Sequence, residues 1–419
     1  MRAVLSSVGT LLISAAILLA GGGLLATLVS VRAEIEGFPL FAIGLLTSFY
    51  FAGFILGCLY TPKLVARVGR VRVFAALSSL VATCVLFHAL FINIPVWLFL
   101  RFLTGIGFAG LYVLMESWIN EQAPNEQRGQ ILSVYRMVDL GAVTIGQFML
   151  ILYDPKEFAL FSLVAICVCI AIFPLSLSTS KAPAAVTNTS LNLKKLVRTS
   201  PLAAAGCFTV GMANGSFWAM GPVFVQLLDH SIMMVSLFMS VVILFGAMLQ
   251  WPAGYLSDKF GRRGILIISS IGAACAGLFL YALAPRSASF LLLGGILYGV
   301  FAMQIYGLSA AHANDRAEPD EFVAISGGLL LIYGIGSVLG PSLAPFVMSA
   351  FGPSAVFAFT AGVHALLCLF AIFRTVTSDA PKEARDYVPM PRPRSMALVL
   401  RTDPRNKFRR KSSKKSSKK

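Results

Sequence analysis

The sequence predicts an all-α membrane protein: twelve transmembrane helices in two six-helix halves that run in the same direction across the bilayer. Three observations carry this: the composition, the spacing of apolar runs and a weak internal repeat. Hydrophobic residues make up 57% of the 419, charged residues only 12%, and the mean hydropathy is +0.81. A chain of this length in water would form two or three domains, each needing a charged exterior that this composition cannot supply. A surface facing lipid needs none.

Apolar runs of the length needed to cross about 30 Å of hydrocarbon lie at 5–31, 41–61, 73–93, 96–119, 130–153 and 158–178. Six more follow at 201–227, 232–256, 265–284, 289–311, 323–350 and 355–373. The first is too long for the apolar stretch of a signal peptide and lacks a cleavage pattern, so it reads as a span. The break KAPAAVTNTSLNLKKLVRTS at 181–200 is polar and basic, and reads as a cytoplasmic linker. It divides the chain into an N-terminal bundle (1–180) and a C-terminal bundle (201–373), with a tail at 374–419.

Charge sets the expected orientation. With the N-terminus inside, the inner loops carry fourteen Lys and Arg residues and the outer loops only Arg32, Lys156 and Arg286, leaving the tail aside. By the positive-inside rule both termini are cytoplasmic. The net charge of +16 does not point to nucleic acid, because fifteen of the 34 Lys and Arg residues lie between Arg374 and Lys419. That segment ends in KFRRKSSKKSSKK, a low-complexity run that cannot build a core. It suits an anionic cytoplasmic leaflet, or serves only to hold the C-terminus inside.

A gapless shift of 194 places Gly105 on Gly299, Tyr112 on Tyr306, Asn120 on Asn314, Glu121 on Asp315 and Gly146 on Gly340. Six spans separate the copies, an even number, so the repeats are parallel. The seven cysteines fall in apolar stretches and read as small buried hydrophobes. The sequence shows no metal-ligand spacing and no phosphate-loop pattern, so no cofactor is expected.

The loops between spans add a family resemblance. Gly254 to Arg263, GYLSDKFGRR, resembles the signature loop of the major facilitator superfamily: Gly, three residues, Asp, two residues, Gly and two basic residues. EQAPNEQR, from Glu121 to Arg128, resembles that family's Glu-to-Arg signature after span four, and RFLTGIG at 101–107 its Arg-and-glycine pattern. The segments VLMESWINEQAPNEQRG, AHANDR and YGIGSVLGP are further similar to the YcaD-like bacterial branch, which implies a bacterial inner membrane. One departure stands out: TPKLVARVGRVR at 61–72 keeps Gly69 and Arg70 but has Ala66 where the family has Asp.

The resemblance implies that the loop before span three abuts span eleven, and that the loop before span nine abuts span five. Arg67, Arg70 and Arg72 would then face Asp315 and its acidic neighbours. Arg262 and Arg263, following Gly261, would face Glu121 near Arg128, with Asp258 at the positive end of span five. Such a cluster would latch the cytoplasmic side; the alternative is orientation by charge alone.

Ionisable groups within spans are costly and therefore functional candidates. Arg101, Glu116, Arg136 and Asp139 are the clear ones. Arg136 and Asp139 are three apart on one helix face, as a structural pair or a substrate clamp. Glu116 is a proton site or a gate residue paired with Arg128. Asn214, Trp218, Gln250, Tyr298, Gln304, Tyr306 and Tyr333 lie near span centres, where they could line a cavity or tie helices together.

The function this predicts is secondary active transport of a small solute by alternating access, coupled to protons, by a monomer. A transporter-like sensor and a lipid-modifying membrane enzyme are the alternatives; the enzyme would need a nucleophile, a metal or paired acids near the interface, and none is evident. Span five has GAVTIGQ rather than the Gly-Pro pattern of many exporters, which leaves the direction of transport open.

Overall fold

In a bilayer core no water can satisfy backbone N–H and C=O groups, so each crossing must satisfy its own by forming a helix. The computed structural model describes residues 2–122, 128–173, 193–316 and 322–377, and among them every regular element is helical. Spans one to six are Arg2–Ile35, Leu40–Val68, Arg70–Leu90, Ile94–Gln122, Arg128–Met149 and Ala159–Ile170. A short helix, Leu193–Thr199, precedes span seven, Pro201–Leu227. Span eight is Ile232–Met248 continued by Gln250–Phe260, and span nine is Arg262–Leu283. Span ten is Ala288–Ala302 continued by Ile305–Asn314, and spans eleven and twelve are Phe322–Phe351 and Ala355–Thr377.

Among the described residues, nine of these are long and apolar enough to cross a membrane on hydropathy alone. Two of the other three depart for physical reasons. Span five carries Arg136, Asp139 and Gln147. Span seven is buried at twenty of its 27 positions, so protein rather than lipid surrounds it.

The halves repeat one packing plan. Spans one and five, two and four, and three and six pack together in the first half. Seven and eleven, eight and ten, and nine and twelve do so in the second. The repeated glycines sit at those crossings. A Cβ on Gly105 would strike the carbonyl of Tyr50, and one on Gly299 the carbonyl of Val242, so both close the crossing of the second and fourth helix of their half. Gly146 and Gly340 lie equally close to the carbonyls of Ala20 and Met212, at the crossing of the first and fifth. Small residues let backbones approach where no hydrophobic effect drives helices together.

Two expected spans are not continuous. Span eight breaks at Leu249 and span ten at Met303–Gln304, where the sequence predicts unbroken runs at 232–256 and 289–311. The breaks face each other: the Gln304 amide donates to the Gly246 carbonyl at 2.6 Å, and Gly246 packs on the Met303 side chain. A side chain inserted between two interrupted helices re-satisfies a backbone carbonyl that lies off the regular ladder.

Candidate functional site

A cavity of about 130 Å³ lies between the halves. The first half lines it with Gly22, Gly23 and Ala26 of span one, Thr47, Tyr50, Phe51 and Phe54 of span two, Arg101 and Tyr112 of span four, and Arg136 and Leu140 of span five. The second half supplies Asn214 and Trp218 of span seven, Ile243, Gly246, Ala247 and Gln250 of span eight, Met303 and Tyr306 of span ten, and Tyr333 of span eleven. Four spans therefore face the cavity from each side. Tyr112 and Tyr306, partners in the internal repeat, both reach it.

The bulk of the wall is aromatic or aliphatic, with a few polar groups converging on it, the usual make-up of a small-molecule site. Arg136 bridges the halves, with Nη1 at 3.1 Å from Asp139 Oδ2 and Nη2 at 3.4 Å from Gln250 Oε1. Arg101 is only 3% exposed, donates through Nε to the Leu46 carbonyl at 3.4 Å, and lies over the Tyr50 ring at 4.4 Å from its centroid. A second, narrower and almost wholly apolar slot between spans two and eleven shares Phe51, Phe54 and Tyr333 with the main cavity.

Glu116 is not in the cavity wall. It is buried behind span five, where the Tyr135 hydroxyl donates to its Oε1 at 3.4 Å. Gln304 takes the second of the two roles open to it, tying helices at the junction of the two broken spans, and Tyr298 is buried against Phe217 and Phe357, away from the cavity wall. Asn214, Trp218, Gln250, Tyr306 and Tyr333 do line the cavity. Span two was missed altogether as a wall element, because aromatic residues facing a cavity and aromatic residues facing lipid look alike in sequence. A signal was nevertheless present in Thr47 and Tyr50, polar groups one turn apart on an otherwise apolar run.

Away from the basic loops the halves meet closely. The Gln226 amide donates to Glu34 Oε2 at 3.0 Å and to the Val31 carbonyl at 3.4 Å, joining spans seven and one. Ser48 Oγ donates to the Val338 carbonyl at 2.7 Å and lies 2.8 Å from Ser342 Oγ, joining spans two and eleven. Phe41 and Phe346 pack nearby, with centroids 5.0 Å apart and rings tilted by 45°.

Among the described residues, the charges at the basic end include a pair within the second half that was not expected. Arg262 Nε lies 3.1 Å from Asp315 Oδ2, and the same guanidinium takes Asp258 and donates to Ser257 Oγ at 2.6 Å. The carboxylate of Asp315, expected opposite Arg67 and Arg70 of the other half, thus has an arginine of its own half as a partner. The reason is proximity: span ten ends against the start of span nine. Arg263 donates to the Arg374 carbonyl at 3.2 Å. Gly261 turns the chain at φ 88°, Arg67 is exposed and Arg70 half-buried. The side chains of Glu121 and Arg128, residues 174–192, which take in the end of expected span six and the first part of the expected linker, and the tail beyond 377 lie outside the described residues.

A family model described as the Major Facilitator Superfamily matches residues 11–327 and 244–410. The chain belongs to that superfamily. This major facilitator is 26% identical over 366 residues to the MFS-type transporter YcaD of Salmonella arizonae, covering 87% of this chain and 93% of that one. It has the same identity and coverage with YcaD of Salmonella typhi. Among solved structures it resembles the nucleoside transporter NupG, with a TM-score of 0.69 at 16% identity over 87% of this chain and 98% of the other. It also resembles a D-xylose-proton symporter, with a TM-score of 0.68 at 16% identity over 91% and 99%. The chain is therefore a multi-pass membrane transporter of the major facilitator fold and not an enzyme, and transport implies a small-molecule substrate.

Proposed function

We propose that this major facilitator is a secondary active transporter that carries a small solute by alternating access and couples it to protons. The observation that supports this best is the central cavity, walled by four spans from each half and crossed by the Arg136–Gln250 contact. A solute there touches both halves, so its binding can bias their relative position. With the basic loops cytoplasmic, the contacts of Gln226, Ser48 and Phe41 seal the outer side. Rocking must break these contacts while the basic end closes.

The coupling proton is assigned to Glu116, with Asp139 as the other buried acid of the same region. A carboxyl group away from water crosses between conformations more easily when neutral. The Tyr135 hydroxyl ties Glu116 to the helix that carries Arg136 and Asp139, so protonation is felt at the cavity wall. The protein acts as a monomer, with its basic tail at an anionic cytoplasmic leaflet.

Flux into proteoliposomes under an imposed pH gradient tests the reading. Wild type should accumulate solute only with the gradient, and Glu116→Gln should flatten the pH profile. A Glu116→Gln profile that overlays wild type removes the proton assignment. Absence of flux for every solute tried, despite saturable binding, favours a sensor.

A further inference from the structure

We infer that the transported solute is a small organic anion with a flat apolar body, its charge held by Arg101. This deepens the transporter reading above by naming what the cavity accepts. Among the described residues, Arg101 and Arg136 are the only Asp, Glu, Lys or Arg side chains in the cavity wall. Arg136 is answered by Asp139 at 3.1 Å. Arg101 is not: among the described residues no carboxylate pairs with it, and of its five N–H donors only Nε makes a hydrogen bond, at 3.4 Å to a carbonyl. The Tyr50 ring at 4.4 Å attracts the cation but leaves the donors unused.

A guanidinium that is 3% exposed in a membrane interior, with its fork open to a cavity, lacks a counter-ion. A carboxylate or phosphate group supplies both the charge and the bidentate acceptors that this fork fits. Asn214 adds an independent indication from the opposite half. It is buried at 8% exposure, faces the same cavity, and its Oδ1 accepts no hydrogen bond. A ligand that also offers a donor, a hydroxyl or N–H, would satisfy this oxygen once the side chain turns it to the cavity. The same wall carries Tyr50, Phe54, Tyr112, Trp218 and Tyr306, whose rings favour a flat apolar body over a polyhydroxylated one. Such a ligand would span the cavity from span four to span seven, so one molecule would engage both halves.

The test uses the full-length protein in nanodiscs and three probes that differ in charge: 4-hydroxybenzoate, 4-hydroxybenzyl alcohol and 4-hydroxybenzylamine. Binding is followed by tryptophan fluorescence and by thermal shift. The anion should bind about tenfold to a hundredfold more tightly than either partner, the range expected of a charge-assisted pair. Arg101→Gln should erase that preference, Arg101→Lys should keep part of it, and Asn214→Ala should erase the preference for 4-hydroxybenzoate over benzoate alone. The Lys variant serves as the control should the Gln variant melt early.

Equal binding of the three probes, no saturable binding of the anion, or an undiminished preference in folded Arg101→Gln overturns the inference. Saturable flux of a neutral or cationic solute that is indifferent to Arg101 also overturns it while leaving the transporter reading intact. Tight Arg101-dependent anion binding without any flux supports the anion site and removes the transporter reading.

Discussion

The loop joining spans two and three and the loop joining spans eight and nine share a backbone and differ in charge. Gly69 and Gly261 each end one helix and open the next, both at φ 88°, a region that L side chains rarely adopt. Arg70 and Arg262 follow at the same place. The Asp258 carboxylate that meets Arg262 has its counterpart in Ala66, which has none. Arg262 is 4% exposed and shared by two carboxylates, whereas its counterpart Arg70 is half-buried and Arg67, one turn earlier, is exposed. The turn is thus a requirement of the topology and recurs in both halves. The acid three residues before the turn glycine, Asp258, is found in the second half, and the first has Ala66 in its place.

The largest expected effect comes from removing the shared cation. Arg262→Ala leaves Asp315, 2% exposed, without this partner, and should cost about 3–5 kcal/mol as a buried pair broken from one side. Arg67→Ala should cost about 0–1 kcal/mol. Melting of the purified protein followed by fluorescence compares them, and equal losses would erase the distinction between the loops.

Next in size is the shared turn. Gly69→Val and Gly261→Val should each destabilise by about 1–3 kcal/mol through backbone strain, and by similar amounts. A large loss at one site with none at the other would mean that the common φ is incidental. Asp258→Asn is smaller in stability, about 1 kcal/mol, because the side chain is 28% exposed and Arg262 keeps Asp315. Its effect should fall on transport, with initial rates sharply reduced and membrane insertion unchanged; wild-type rates would separate this cluster from gating. Smallest is Ala66→Asp, which restores the missing acid at an exposed position. The midpoint of melting should move by no more than about 0.5 kcal/mol equivalent.

Much of the fold was legible because it depends on sums and parities along the chain. Hydropathy over about 20 residues marks a span, and an even number of spans between repeats makes them parallel. Gly105, Gly146, Gly299 and Gly340 could be matched by a fixed shift, and the structure supplies their reason in the carbonyls they approach. The site was legible in part. Charged groups within apolar runs, such as Arg101 and Arg136, stand out because lipid penalises them. Tyr50 and Phe54 did not, since nothing in an aromatic residue marks whether its ring meets a cavity or hydrocarbon. The broken helices were hidden as well, for Met303 and Gln304 carry no helix-breaking chemistry, and the interruption arises where Gly246 packs against them.

By itself the sequence determined that the chain lives in a membrane, how many times it crosses, and that its two halves repeat in parallel. These follow from composition and spacing, which are properties of neighbours along the chain. Only the tertiary structure decided which acid meets which base and which faces enclose the cavity. Arg262 finds Asp315 across 53 residues and Arg136 finds Gln250 across 114. Partners that far apart are chosen by how helices pack, and local patterns carry almost no information about that choice.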